Sequence, residues 1–527
     1  MGSLLDLVVL SSLILRSCYA ANILFLSEVP SRSHHRWLRI VAEELAARGH
    51  NITFASCDAE KPQHNIHFIH MEKVYETVEA SSDTNFDIFD IGFTNVILQY
   101  FDTPELTIAV CEGLTKSNGW QQLNSYPNDF KFDLLIHDYM TGGCLLSFGK
   151  KFNNPPVVSM TAFRDNSIFH RKTKTATIPA RNTLPYFHRQ IPGSFAERIV
   201  NFVMHMCESL IWNYYTFPKL AKIIHETNSF NYLVSATDDE PDPAIYLTNY
   251  EPVVDEAQQL PPNVIGVGGL QIKKPSPLPN ELREVADRAS NGLILFSLGT
   301  NANTQELGES IVQNILEVFT IFPEFTFFWK MDLEGDDIRI PDNVVIRKWF
   351  PQNDVLAHKN TKLFITHGGL MSTQEAIWHG VPMLGIPLFF DQYSNIHKAV
   401  DKGIAEVLYV SDISIENLCE KILLMTENPQ YKEKIRIYSN AFRDQKETPL
   451  ERAVWWIEWT MRHPAKTVLQ GYGRDLNFFQ IESMDVIGFV TIVIGLLVFL
   501  FLMLVTKCVR YALKRTGIIS SGKINKR

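Results

Sequence analysis

Residues 349–392 read WFPQNDVLAHKNTKLFITHGGLMSTQEAIWHGVPMLGIPLFFDQ, and the fold class follows from this stretch. Lys362–Thr366 is a short apolar run with the character of a buried strand. His367-Gly368-Gly369 follows, and then a helical pattern from Leu370 to His379. A strand, paired glycines and a helix start bring backbone N–H groups within reach of a phosphate. A second apolar run, Pro382–Phe390, delivers Asp391 and Gln392 to the C-terminal edge of a parallel sheet. Open α/β sheets bind their ligands at that edge. A third run, Asn343–Ile346, places Trp349 and Gln352 just beyond the same edge. Three strand ends therefore bring together an aromatic face, an anion cradle and hydrogen-bonding groups of sugar size, the outline of a nucleotide-sugar site.

Outward from this stretch, apolar runs alternate with helical patterns in both directions. Asn22–Leu26 reads as a first strand, followed by the polar loop SEVPSRSHHR and helical periodicity over Trp37–Ala47, with Gly49 at its C-terminus. With Asn51–Ser56 as the next strand, this βαβ unit puts His34 and His35 in the loop at the mouth of the first strand. A helical stretch around Ile88–Leu114 precedes strands at Phe132–Ile136, ending on His137-Asp138, and at Pro156–Met160. Residues 195–228 form a long helical stretch rich in Met and aromatic side chains, among them Phe202, Met204, Met206, Trp212, Tyr214 and Tyr215, and core packing is the simplest account of any one of them. Pro261–Pro279 carries GVGG and then KKPSPLP, a linker composition. Beyond it, Leu293–Phe296 runs into the small-residue turn Ser297-Leu298-Gly299-Thr300, a second approach to a phosphate that is weak by itself, and Phe325–Trp329 continues the pattern. Alternation of this kind predicts parallel sheets covered on both faces.

The 527 residues, 46% hydrophobic and 20% charged, allow two globular domains with additions, and the net charge of −9 argues against a nucleic-acid partner. Residues 1–20 have the apolar core of a secretory signal cleaved near Ala20, an uncleaved anchor being the alternative. Val486–Val505 offers 20 residues without a charge, enough to cross a bilayer. The tail after it holds seven basic and no acidic residues, which puts the tail in the cytosol and residues 21–485 on the other side. The final KINKR resembles a dilysine retrieval signal with altered spacing. Five cysteines fall between signal and span (Cys57, Cys111, Cys144, Cys207, Cys419), too few and too irregular to predict a disulfide framework. Asn51-Ile52-Thr53 is a glycosylation sequon at the start of a core strand. No Cys or second His stands at ligand spacing near His358 or His379, so no metal site is expected there.

The 349–392 signature resembles that of the UDP-glycosyltransferases, in the membrane-bound animal form and particularly the arthropod-like form. The likeness extends over nearly the whole chain. It implies two Rossmann-like domains facing across a cleft (the GT-B arrangement) and a C-terminal transmembrane helix. The expected division is residues 21–270 for the acceptor-binding domain, 271–287 for the linker and 288–448 for the UDP-sugar domain. Residues 449–485 would cross back to the first domain and lead to the membrane, 486–506 would span it, and 507–527 would form the tail. By this resemblance Trp349 stacks on uracil and Gln352 helps hold the nucleoside. Ser297, Gly299, Thr300, His367, Gly369 and Ser372 meet the diphosphate, Glu375 takes the ribose hydroxyls, and Asp391 with Gln392 takes the sugar. Met371 stands where many relatives carry Asn, so it is not counted as a ligand. Ser372 and Glu375 also have the spacing of a capping box, whose role would be only to finish a helix.

Sugar transfer to a hydroxyl requires a base, an in-line attack and stabilisation of the departing UDP. The family's base lies sixteen positions before the His of the Arg-Gly-His turn, which here selects His34, with His35 as the alternative. An imidazole suits this work near neutral pH. Asp138, matched by the family's FDxxxxD spacing from Phe132-Asp133, would orient it. The helix start after Gly369 would stabilise the leaving group without a metal or other cofactor. The resemblance implies an inverting transfer from UDP-glucose, with UDP-glucuronate the second donor, to a small lipophilic acceptor: a phenolic, steroid, pigment or xenobiotic. The N-terminal half would hold the acceptor, with 195–228, Phe86–Phe101 and Thr173–Phe187 as lining segments. It further implies residence in the endoplasmic-reticulum membrane as a single-pass type I protein, with homo- or hetero-oligomers compatible. A silent carrier or sensor of lipophilic ligands is the reading from a different class.

Overall fold

Strands buried on both faces need apolar side chains at every position, which is why the central runs of this chain show no alternation. In β1 (Asn22–Ser27), Leu24 and Leu26 enter one core cluster while Ile23 and Phe25 enter another on the opposite face. In β8 (Leu293–Ser297), Ile294 and Phe296 face one core and Leu293 and Leu295 the other. A computed structural model describes residues 20–81, 93–164, 194–227, 243–257, 260–300, 307–332, 339–463, 469 and 476–516. Residues 1–19 of the expected signal at 1–20, residues 86–92 of the segment Phe86–Phe101, the whole of Thr173–Phe187 and residues 517–527 of the expected tail lie outside the described residues.

The first sheet adds β2 (Asn51–Ser56), β3 (Ile66–His70), β4 (Leu134–Asp138), β5 (Val157–Thr161), β6 (Ile245–Thr248) and β7 (Val264–Gly266), in the order β3-β2-β1-β4-β5-β6-β7. The second adds β9 (Thr326–Lys330), β10 (Val344–Arg347), β11 (Thr361–Thr366), β12 (Met383–Gly385) and β13 (Ala405–Val407), in the order β10-β9-β8-β11-β12-β13. Every pairing is parallel. Both sheets are Rossmann-type, and in each the strand order reverses at one place, between β1 and β4 and between β8 and β11. Ligand crevices open beyond the strand ends at such a reversal.

Both sheets belong to one compact unit. Buried polar groups tie its halves together. Gln374, fully buried, donates to Asn249 Oδ1 (2.9 Å) and accepts from the Gly269 amide (3.2 Å), and Arg164 donates to Ser394 Oγ (2.7 Å). The aromatic helix Pro449–Arg462 packs Ala453, Val454 and Ile457 into the core beside β1. The helix Asn280–Arg288 occupies the second part of the stretch expected as linker.

Four local features differ from expectation. The first helix runs Arg32–Ala47, so His34 and His35 sit in its first turn and not in a loop. Both histidines are buried, and buried polar residues hide the helical period from a hydrophobicity reading. Residues 195–227 do not form one helix: Phe195–Ile211 passes through a π turn, Trp212–Thr216, into Phe217–Thr227. Pro218 supplies no N–H to a continuous α ladder, and the wider turn absorbs that break. Within this stretch Trp212 and Met204 are buried, Phe202 and Tyr214 are exposed, and none of its residues lines the cavity described below. Third, the capping-box reading of Ser372 and Glu375 fails, because the helix Leu370–His379 has Gly369 as its extended N-cap and Ser372 already lies inside it.

The fourth is a disulfide, Cys111–Cys144, between the helix Phe93–Lys116 and the turn after β4. Nothing in the cysteine spacing points to it, because the pairing depends on a tertiary contact. Closing a loop over a sequence separation of 33 stabilises the folded chain by about 4 kcal/mol in the chain-entropy picture. Replacing Cys144 with Ser is expected to lower the urea midpoint of the first sheet's unfolding by that amount divided by the m-value. A reducing agent should produce the same shift in the wild type and none in the variant.

A second compact unit contains the helix Met484–Arg515, whose 32 residues extend about 48 Å. Its apolar side chains are exposed, and it is long and apolar enough to cross a membrane.

Candidate active site

The strand-order reversals of the two sheets open onto one cavity of about 660 Å³. It is lined by His34, Ser297, Gly299, Thr300, Trp349, Gln352, His367, Gly369, Ser372, Glu375, Asp391 and Gln392, so the structure brings together every expected residue except Asp138, which lies behind His34.

His34 Nδ1 is 2.5 Å from Asp138 Oδ2, and Asp138, with no exposed surface, also accepts from the Met140 amide through Oδ1 (3.1 Å). The carboxylate is thus fixed at both oxygens, which leaves Nε2 of His34 as the imidazole nitrogen available to the cavity. Phe163 packs against the ring with centroids 4.9 Å apart. His35 differs: its Nδ1 meets Ser56 Oγ at 2.7 Å and its Nε2 meets Glu60 Oε1 at 3.0 Å, so both nitrogens are engaged away from chemistry. Asp133 closes the sheet edge by accepting from the Asn22 amide (2.8 Å).

Below Asp138 lies a carboxylate that the sequence did not single out. Glu28, 1% exposed, accepts from the amides of Gly143 (2.7 Å) and Leu145 (2.8 Å) and so pins the turn that follows β4. Burial raises its pKa to about 7, against the pull of those amides and with a further push from Asp138.

At the other sheet, the His367 ring is held between two glycines. A Cβ on Gly299 or on Gly369 would stand 2.5 Å from ring atoms, so only glycine permits this approach at either position, and Gly299 also has φ +84°. Burial and the neighbouring Lys330 cation lower the His367 pKa to about 4, opposed by the Ser297 carbonyl. His367 therefore works as a neutral imidazole at physiological pH. Glu375, 6% exposed, accepts from Gln352 Nε2 (2.8 Å), which also reaches Ser372 Oγ (3.1 Å). Burial raises the Glu375 pKa to about 6, while Gln352 and Arg36 draw it back.

Beyond β12, Phe390 adopts a left-handed conformation (φ +51°) that turns Asp391 into the cavity. Asn395 donates to Asp391 Oδ2 (2.8 Å). Burial raises the Asp391 pKa, and Asn395, Arg164 and His34 oppose it. Gln392 Oε1 accepts from the Leu388 and Phe389 amides (2.8 and 3.2 Å), an orientation that leaves its amide N–H groups for a ligand. Three cavity cations also escaped the sequence reading: Arg32, Arg36 and Lys330. The first two sit within a run read as loop, and the third ends a strand otherwise read only for its apolar residues.

An aromatic ring, a histidine framed by two glycines, a buried carboxylate and a His–Asp pair within one cleft of two Rossmann-type sheets are the makings of a nucleotide-sugar transferase. The family model described as UDP-glucoronosyl and UDP-glucosyl transferase matches residues 24–518, and the chain belongs to that family. It is 31% identical over 495 residues to UDP-glucosyltransferase 2 of Dactylopius coccus, covering 92% of this chain and 93% of that one. It is 28% identical over 498 residues to UDP-glucuronosyltransferase 2B7 of Homo sapiens, covering 90% of each. Among solved structures it shares a fold with the glycotransferase of kitacinnamycin (TM-score 0.54, 18% identity, 84% of this chain and 98% of that one) and with the calicheamicin glycosyltransferase CalG4 (TM-score 0.54, 17% identity, 85% and 100%). The protein is a UDP-glycosyltransferase, using a UDP-sugar as donor.

Proposed function

We propose that the enzyme transfers glucose from UDP-glucose to a hydroxyl of a small lipophilic acceptor with inversion at the anomeric carbon, His34 serving as base and Asp138 as its orienting partner. The observation that carries this reading is the asymmetry of the histidine pair. His34 is anchored through Nδ1 with its other nitrogen left to the cavity, whereas both nitrogens of His35 are occupied. The acceptor hydroxyl gives its proton to His34 Nε2 as its oxygen bonds to the sugar C1, and the bond from C1 to the diphosphate oxygen breaks on the opposite face. Asp138 stabilises the imidazolium that forms. The amides at the helix start after Gly369, together with the neutral His367, take up the charge on departing UDP.

Trp349, 54% exposed, offers its ring to uracil, Gln352 and Glu375 hold the nucleoside, and Ser297, Gly299, Thr300, Gly369 and Ser372 surround the diphosphate. Asp391 and Gln392 take sugar hydroxyls. Asp391 and Gln392 suit either donor, and glucose is preferred here because a relative at 31% identity is named a UDP-glucosyltransferase. Glucuronate is the second reading, supported by the names of the mammalian relatives. Phe163 packs on His34, and Leu106, Met140 and Phe389 add apolar surface to the same cavity, a lining that suits a phenolic or steroidal acceptor. The helix Met484–Arg515 is proposed to anchor the enzyme as a type I protein of the endoplasmic reticulum, with the two sheets lumenal.

Membranes containing the protein, supplied with a phenol panel and with UDP-glucose or UDP-glucuronate separately, test the donor. A glucoside is expected from the first and at most traces from the second; the reverse would overturn the assignment. The pH dependence of UDP affinity tests Glu375. Ionised, its carboxylate can accept from both ribose hydroxyls, and protonation removes the charge and one acceptor, so affinity should be highest at pH 7 and above and fall as pH drops through about 6. In Glu375→Gln that acid-side fall should vanish, together with much of the affinity.

A further inference from the structure

The proposed reaction gives no task to Arg32, Arg36 and Lys330, three of the four Arg and Lys side chains that line the cavity. Arg32 and Arg36 lie one turn apart on the helix that carries His34, and Lys330 ends β9 in the opposite sheet. Their positions follow the path assigned to the nucleotide. Lys330 Nζ donates to the Gly299 carbonyl and lies 4.9 Å from the Trp349 ring centroid, while the Arg36 guanidinium carbon lies 5.6 Å from the same centroid. Arg36 also acts on the Glu375 carboxylate, and Lys330 acts on His367. The two cations thus approach one stretch of the cavity from its two sides.

Among the described residues none of the three is within ion-pair distance of a carboxylate. Arg39, in the same cavity, shows the contrast: it pairs with Glu43 (2.8 Å) and with Glu60. Like charges crowded in a partly enclosed space are unfavourable without an anion to meet them, and here they crowd within a protein of net charge −9. Burial, then Arg32 and Arg36, push the Lys330 pKa down to about 8, so the lysine gains by meeting an anion.

We propose that Arg36 and Lys330, supported by Arg32, clamp the donor diphosphate from both sheets, so that the helix carrying the catalytic His34 is itself a donor-binding element. The inference rests on the UDP-sugar reading of the cavity and adds to it a contribution from the first sheet. His34 is two residues from Arg36 on that helix, so the proposed base and a proposed donor contact belong to one element.

Calorimetric titration of the full-length protein in detergent with UDP and with uridine separates phosphate recognition from base stacking. Wild-type protein should bind UDP more tightly than uridine, with a gap that narrows as salt rises. Arg36→Gln and Lys330→Met should each weaken UDP binding about tenfold and leave uridine binding unchanged. Arg36→Lys should retain most of the gap, which guards against misfolding as the cause, and Arg39→Gln should retain all of it. Wild-type preference for UDP over uridine persisting in both Arg36→Gln and Lys330→Met would overturn the clamp. Equal losses for UDP and uridine would also overturn it, by assigning the cations to the Trp349 ring alone. Wild-type protein that binds neither ligand would overturn the donor reading itself, and the clamp with it.

Discussion

Replacing His34 with Ala is expected to lower kcat by about a thousandfold while leaving the affinity for UDP within a few-fold of wild type, as for loss of a general base. The reason is positional. His34 Nε2 is the imidazole nitrogen left to the cavity, and His34 is not among the residues proposed to hold the nucleotide, which apart from Arg32 and Arg36 lie on the opposite sheet. Turnover and UDP titration on the same preparation check both halves of the expectation. His35→Ala would instead release Ser56 and Glu60 from their partner, an effect on local packing with a modest change in turnover. If His35→Ala removes activity and His34→Ala keeps it, the roles are reversed.

Asp138→Asn should be nearly as damaging, by a factor of about 10²–10⁴, although it adds no bulk. Asp138 Oδ1 accepts from the Met140 amide, so the carbonyl oxygen of an asparagine would be held there and its NH2 group would face His34. A donor at that place forces Nδ1 of the imidazole to accept, which moves the ring proton to Nε2. The nitrogen facing the acceptor then already carries a proton and cannot take another. The loss should appear in kcat with little change in the Kd for UDP, and it should not be recovered at higher pH. Recovery of the rate at high pH would mean that Asp138 acts on the charge of His34 and not on its tautomer.

The second sheet and its ligand edge were the most legible parts of the chain. Its strands are buried on both faces, so their apolar runs are unbroken, and the helix Leu370–His379 begins and ends where the pattern placed it. The first helix was misread at its start because His34 and His35 are buried polar residues, counted as loop by any hydrophobic period. Site residues close together in sequence, such as Gln352, Ser372 and Glu375, could be assembled from a single signature. Contacts between distant segments could not. The Cys111–Cys144 bridge, the Glu28 clasp on the Gly143 and Leu145 amides, and the approach of Arg36 to Trp349 exist only once the sheets are formed. In the aromatic stretch 195–228, Trp212 is buried in the core, the simplest account of such a residue, while Phe202 and Tyr214 are exposed, and composition alone does not distinguish a cavity wall from a core or an outer face.

A single displacement at the sugar carbon, with His34 as base, fixes the anomeric configuration of the product. Membranes bearing the enzyme, given UDP-glucose and a phenol that they glycosylate, should yield the β-glucoside alone, identified from the anomeric proton coupling. An α-glucoside, or free glucose released with no glycoside formed, would exclude a single displacement onto the acceptor hydroxyl.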